Sequence, residues 1–159
     1  MAEPRRPIVT RSGAGVEHGH AGGAHSYTAL SAAQNPVGVA VQFATMPEGA
    51  GPPFHRHPSF DEVFIILEGR VEFQAGDEVH TLGPGDLIHV PGEVPHAPRC
   101  VEGPAKLIML VTPARFENFF HELGDALAKG GRDAMISLGA RYGIEFLDRP
   151  AARQQHGEG

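Results

Sequence analysis

Several things are scarce in this sequence, and each scarcity narrows what the chain can be. There is one cysteine, Cys100, so no disulfide can form within the chain. The fold must then rest on its apolar core, and a reducing, cytoplasmic setting is the expectation. Long apolar runs are missing. The longest are VFIIL (63–67) and LIMLV (107–111), far below the roughly 20 residues that span a bilayer. The start, MAEPRRPIVT, has no apolar stretch of the secretory kind. No membrane partner is expected. Positive charge is not in excess either: 13 Lys and Arg against 19 Asp and Glu give −6. That balance excludes a broad field for nucleic acid, and no helix-turn-helix pattern is attached. What remains is a chain of 159 residues, enough for one domain and its core.

The chain divides by composition. Residues 1–26 are rich in Gly, Ala, His and Arg and lack an apolar period, which predicts a flexible N-terminal arm. Residues 27–112 alternate short β-rich runs with Gly and Pro turns, the punctuation of an all-β sandwich or small barrel. The expected strands are 37–45, 54–57, 62–69, 70–75, 78–82, 86–91, 96–101 and 106–111. Residues 113–147 change period. Phe116, Phe119, Phe120, Leu123 and Leu127 form one apolar helical stripe, and Gly130-Gly131 is the expected stop before a second, weaker helix. GIEFL (143–147) reads as a short extended tail, and 148–159 as a disordered end.

The stretch FHRHPSFDE (54–62) carries the first chemical signal. Side chains alternate faces along a strand, so His55 and His57 point the same way, about 7 Å apart at the α-carbons. Glu62 opens the next strand and can return to the same place if the two pair. GPGDLIHVPGEVPHAP (83–98) adds His96 after a Pro-Gly turn. Three imidazoles and a carboxylate suit Zn, Fe, Mn, Ni or Cu rather than Ca or Mg. An exposed polar turn is the competing reading of the first stretch alone.

With both stretches in order, the sequence resembles the cupins, and within them the single-domain bacterial members of the quercetin-dioxygenase-like group. The first cupin motif runs from Gly49 through His55, His57 and Glu62 to Gly69. The second is met in part by Gly85, Pro91 and His96. Glu93 stands where the motif has glycine and Cys100 where it has asparagine, which puts the turn before His96 in question. The resemblance implies a jelly-roll β-barrel followed by two C-terminal helices, with His55, His57, Glu62 and His96 converging on one divalent transition metal.

Counting in twos from Glu62 places Phe64 and Ile66 on the ligand face, and counting from His96 places Pro98 and Cys100 there. These are the candidate substrate-pocket residues, with His89 as a further contact if its strand turns it inward. Cys100 otherwise reads as a small buried hydrophobe. Val63, Ile65 and Leu67 fall on the outer face. Strands apolar on both faces are covered on both faces, so a homodimer is expected. The resemblance implies O₂-dependent cleavage of a small aromatic, flavonol-like or enolisable substrate, with Glu62 as ligand and base. A redox-neutral isomerase or decarboxylase, or a binding cupin without turnover, are the alternatives.

Overall fold

Alternation of buried and exposed positions governs the strands of the structure, a computed structural model that describes residues 7–35 and 38–150. The strands are β1 (Val16–Gly19), β2 (His25–Leu30), β3 (Ala40–Met46), β4 (His55–Arg56), β5 (Asp61–Ala75), β6 (Glu78–Leu82), β7 (Leu87–Val90), β8 (His96–Thr112) and β9 (Glu145–Phe146). They pair antiparallel in the order β1-β2-β3-β8-β4-β9, and β5 joins β8 to β6 and β7. The architecture is a jelly roll of mostly β structure with helix at its C-terminal end.

Two expected turns are not turns. EGR (68–70) and EGP (102–104) lie inside β5 and β8, which pair from Asp61↔Thr112 to Ala75↔His96 with register shifts between Ile66 and Val71. The glycines bend one long strand instead of ending it. Gly69 sits at φ 75, and a Cβ there would lie 2.6 Å from the carbonyl oxygen of Glu102, so the bulge admits glycine alone. The inner faces of these strands supply the core. Ile66, Val71, Phe73 and Val111 are fully buried, each worth about 1.5–3 kcal/mol if its side chain would otherwise meet water.

Both ends of the chain differ from expectation. Within the predicted arm, β1 and β2 form a hairpin that pairs with β3 through Ser26↔Ala44 and Thr28↔Gln42. The hairpin is held by polar contacts: the His20 ring nitrogen Nε2 meets the Ser26 hydroxyl at 2.7 Å. An apolar period is therefore a poor detector here. Residues 1–6, the start of the predicted arm, lie outside the described residues, as do Val37 at the head of one predicted strand and most of the predicted disordered end. At the C-terminal side one helical element, α1 (Asn118–Arg141), replaces the two expected helices. Its backbone leaves helical geometry at Gly131 (φ 56, ψ −137), in the glycine pair expected to end the first helix, and then resumes with no loop between. Phe116 lies in the 3₁₀ turn before it (Ala114–Glu117). Phe119, Leu123, Met135 and Leu138 are buried against the barrel, with Phe120 and Leu127 partly buried beside them. No helix among the described residues is long and apolar enough to cross a membrane.

Candidate metal centre

Strand pairing brings the ligands together. His55 on β4 lies opposite His96, the first residue of β8, and Glu62 near the start of β5 pairs with Val111 at the far end of β8. His55, His57, Glu62 and His96 offer ligand atoms that all lie within 4.8 Å of one another. His57, Glu62 and His96 are buried, and His55 is partly open toward the cavity.

The orientation of each ring is fixed from behind. Nδ1 of His55 faces the carbonyl oxygen of Pro53 at 2.8 Å, Nδ1 of His57 that of Phe60 at 2.8 Å, and Nδ1 of His96 that of Val94 at 3.0 Å. A carbonyl only accepts, so each Nδ1–H donates and each neutral ring keeps its lone pair on Nε2. Those lone pairs face inward. Nε2 of His57 is 3.3 Å from Nε2 of His96 and 2.9 Å from Oε2 of Glu62, and Nε2 of His96 is 3.3 Å from the same oxygen. Acceptors at such distances need a proton or a metal ion between them. Two ligands each about 2.1 Å from one ion, at octahedral or tetrahedral angles, stand about 3.0–3.4 Å apart. The donor set fits a transition metal by type and by spacing, and the backbone carbonyls are the partners that fix the ring tautomers.

Without an ion, protons do the same work. Burial pushes His55 down to about 4, helped by the neighbouring His96 charge. Burial also opposes charge on His57, but the hydrogen bond and charge of Glu62 outweigh it and raise that ring. Glu62 is likewise disfavoured by burial, yet hydrogen bonds from His57 and His96 hold it well below the usual carboxylate range.

Beside the ligands lies a cavity of ≈ 120 Å³. His55, His57 and Glu62 form its polar end. Phe64, Met46 and Met109 come from the barrel, Phe119, Phe120 and Leu123 from α1. Of the candidate pocket residues, Phe64 and Pro98 line this cavity. Ile66 and Cys100 share the inner face but are sealed in the core at 0% and 1% exposure. His89 is a correction: it is exposed on the outer face, where Asp61 accepts from or pairs with it at 3.1 Å. Glu62 pairs with Val90 across β7, so Val90 turns inward and its neighbour His89 must turn out.

Sequence reasoning missed His20, which lines the cavity from the N-terminal hairpin. Burial and the charges of His18 and His25 push it down to about 4, so it is neutral at physiological pH. Its only signal was the alternation His18-Gly19-His20, easily lost in a Gly/Ala-rich stretch.

The comparisons agree with this geometry. The cupin-domain family Cupin_2 matches residues 42–111. Over those residues, under half of its length, the chain resembles a cupin domain. It is 35% identical over 71 residues to quercetin 2,3-dioxygenase of Bacillus subtilis, covering 45% of this chain and 21% of that protein. It is 38% identical over 73 residues to the dimethylsulfoniopropionate lyase DddQ of Ruegeria pomeroyi, covering 45% and 36%. The match thus spans well under half of either curated relative. Among solved structures, KdgF from a Halomonas species superposes with TM-score 0.61 at 18% identity, covering 68% of this chain and 94% of that one. An RmlC-like cupin from Shewanella frigidimarina gives 0.56 at 24%, covering 66% and 88%. These likenesses establish the cupin fold.

The imperfect second motif is resolved by the backbone. Glu93, where cupins carry glycine, adopts φ 77, so the turn keeps the left-handed shape and a glutamate bears the strain. Gly92 beside it is irreplaceable for another reason: a Cβ there would lie 2.9–3.1 Å from the carbonyl oxygens of Pro58, Phe60 and His57. Glu93→Gly should raise stability by about 1 kcal/mol, the usual relief of a left-handed non-glycine residue less the added chain freedom. The exposed Arg56–Glu93 pair at 3.8 Å offsets little of that. Chemical denaturation checks it, and a less stable variant would show that the pair matters more than the strain.

Proposed function

We propose that the chain is a metal-dependent enzyme acting on a small, largely apolar, aromatic or enolisable molecule, and that the reaction is a dioxygenation. The observation that carries the metal half is the convergence of three Nε2 lone pairs and the Glu62 carboxylate, each ring anchored by a backbone carbonyl. One divalent transition metal, Fe, Ni, Mn, Zn or Cu, would be held by His55, His57, Glu62 and His96. When bound, it would polarise a coordinated enol or carbonyl oxygen as a Lewis acid.

The chain's own residues do the rest. Phe64, Met109 and Phe119 hold the apolar body of the substrate and exclude water. Glu62 accepts its acidic proton at a carboxylate oxygen, and the neutral ring of His20 is a second acceptor on the cavity wall. The 35% identity with a quercetin dioxygenase supports O₂ chemistry. The cavity volume of ≈ 120 Å³ favours a substrate of on the order of ten heavy atoms over a three-ring flavonol. That size, with the 38% identity to a lyase of a small sulfonio acid, also supports a second reading, redox-neutral elimination or decarboxylation at the same centre. A non-catalytic binding role is the third. Metal-loaded protein screened against small enolisable compounds separates them. Uptake of O₂ with product is expected; equal turnover without O₂ would establish the lyase reading, and binding with no product the third.

The outer face of the β5/β7/β8 sheet supports assembly of two copies, in the cytoplasm where Cys100 stays reduced. Val63 and Ile65 are half-buried there, while Leu67 and Leu87 are 41% and 56% exposed. Ile65→Asp should shift a homodimer toward monomer. Light scattering showing a wild-type monomer at micromolar concentration would end this part of the proposal.

A further inference from the structure

A second group of metal-type donors lies apart from the barrel ligands. His18 on β1, Glu117 in the turn before α1 and His121 in its first turn offer ligand atoms within 4.8 Å of one another. Glu117 and His121 are four residues apart, one helical turn, and β1 packs against α1 to bring in His18. Glu117 is 1% exposed. Its ion-pair partner among the described residues is His121, at 2.9 Å, with no Lys or Arg in reach. A buried carboxylate without a fixed cation is costly.

The surrounding hydrogen bonds aim these groups. Oε1 of Glu117 accepts from the backbone N–H of Ala32 at 3.1 Å, and Oε2 accepts from the Thr28 hydroxyl at 3.1 Å. Since Thr28 directs its one proton to Glu117, Nε2–H of His18 must donate to Thr28, 2.9 Å away. Gln42 donates to the same hydroxyl at 3.2 Å. The neutral ring of His18 therefore keeps a lone pair on Nδ1, and it stands edge-on to His121 with centroids 4.4 Å apart. His121 is the open side, its side chain 31% exposed.

We propose that His18, Glu117 and His121 form a second divalent-metal site, of two imidazoles and one carboxylate, that ties the N-terminal hairpin to α1. This donor set suits Zn, Ni, Co or Cu, not Ca or Mg. No cupin motif includes these residues, and the site does not depend on the reading of the barrel centre.

The test is a Zn²⁺ titration of metal-stripped full-length protein, read by calorimetry and by metal content after gel filtration. Wild type should take up two equivalents. His121→Gln and His18→Gln should each take up one, the retained barrel equivalent showing that the variant is folded. His55→Ala/His57→Ala should also keep one, and adding His121→Gln to it should abolish that one. The double variant isolates this site, so the result stands even if the barrel centre fails to bind. The proposal is overturned if His18→Gln and His121→Gln bind as much zinc as wild type, or if His55→Ala/His57→Ala binds none while still folded. The cluster would then be an internal ion-pair network.

Discussion

His55→Ala is expected to lose metal from the barrel centre while leaving the fold intact. His55 is the ligand that opens on the cavity, and its ring makes one hydrogen bond, to Pro53. Removing it deletes one of four donors. The loss should exceed the 10–100-fold that follows when a partner merely orienting a ligand is removed. His57→Ala should cost stability as well. Its ring is 1% exposed, stacks on Phe60 at a centroid distance of 4.0 Å and pairs with the buried Glu62, so its removal leaves a hole and an uncompensated charge. Metal per chain after dialysis, read beside thermal unfolding, distinguishes the two variants. Full occupancy in His55→Ala would mean that the ligand set is wrong.

Acid should imitate the mutation. Ligand imidazoles must be neutral, so protons compete with metal. His57 is raised by Glu62 and takes the first proton, whereas His55, held down to about 4, takes one only in strong acid. The metal-bound state carries fewer protons than the free one, so affinity falls as pH falls. It should drop about tenfold per pH unit from near neutrality and more steeply as pH approaches the His55 value. An affinity flat across the imidazole range would contradict imidazole ligation.

Glu62→Gln should cut turnover by about 10²–10⁴, the usual share of general acid–base catalysis, while keeping part of the metal. Glutamine preserves the volume in a site where Glu62 is 4% exposed, and its amide oxygen remains a weak ligand. It cannot take a proton. In the resting site Glu62 is a weak base, because hydrogen bonds from His57 and His96 stabilise its charge. Turnover and metal content must be measured on the same sample. A variant with metal and the wild-type rate would reduce Glu62 to a ligand.

The barrel and the cluster of His55, His57, Glu62 and His96 were legible because they obey short-range rules. Strand alternation placed Glu62, Phe64 and Ile66 on one inner face, and the structure buries all three. The motif spacing picked out His55, His57 and His96, whose rings meet because β4 and β8 pair at their first residues. What escaped depends on contacts distant in sequence. The N-terminal hairpin has no apolar period because Ser26, Thr28, Gln42 and Glu117 hold it by hydrogen bonds to one another and to the backbone. The break at Gly131 was legible in the letters GG, but not that the helix resumes there with no loop between. His89 carries the alternation of its neighbours but not its phase, which only the pairing of β5 with β7 sets.

The cavity wall divides by origin. Its metal-facing end comes from β4 and β5, whereas the opposing wall is built by His20, Ala24 and Ser26 near one chain end and by Phe119 through Phe146 near the other. The C-terminal part is tied to the centre, because Phe146 on β9 pairs with His55, whereas the N-terminal part touches neither β4 nor β5 in the sheet. Exchanging residues 7–26 between related chains should redraw which molecules are admitted while His55, His57, Glu62 and His96 stay in place, making the least patterned part of the sequence the natural place for new substrate preferences to arise.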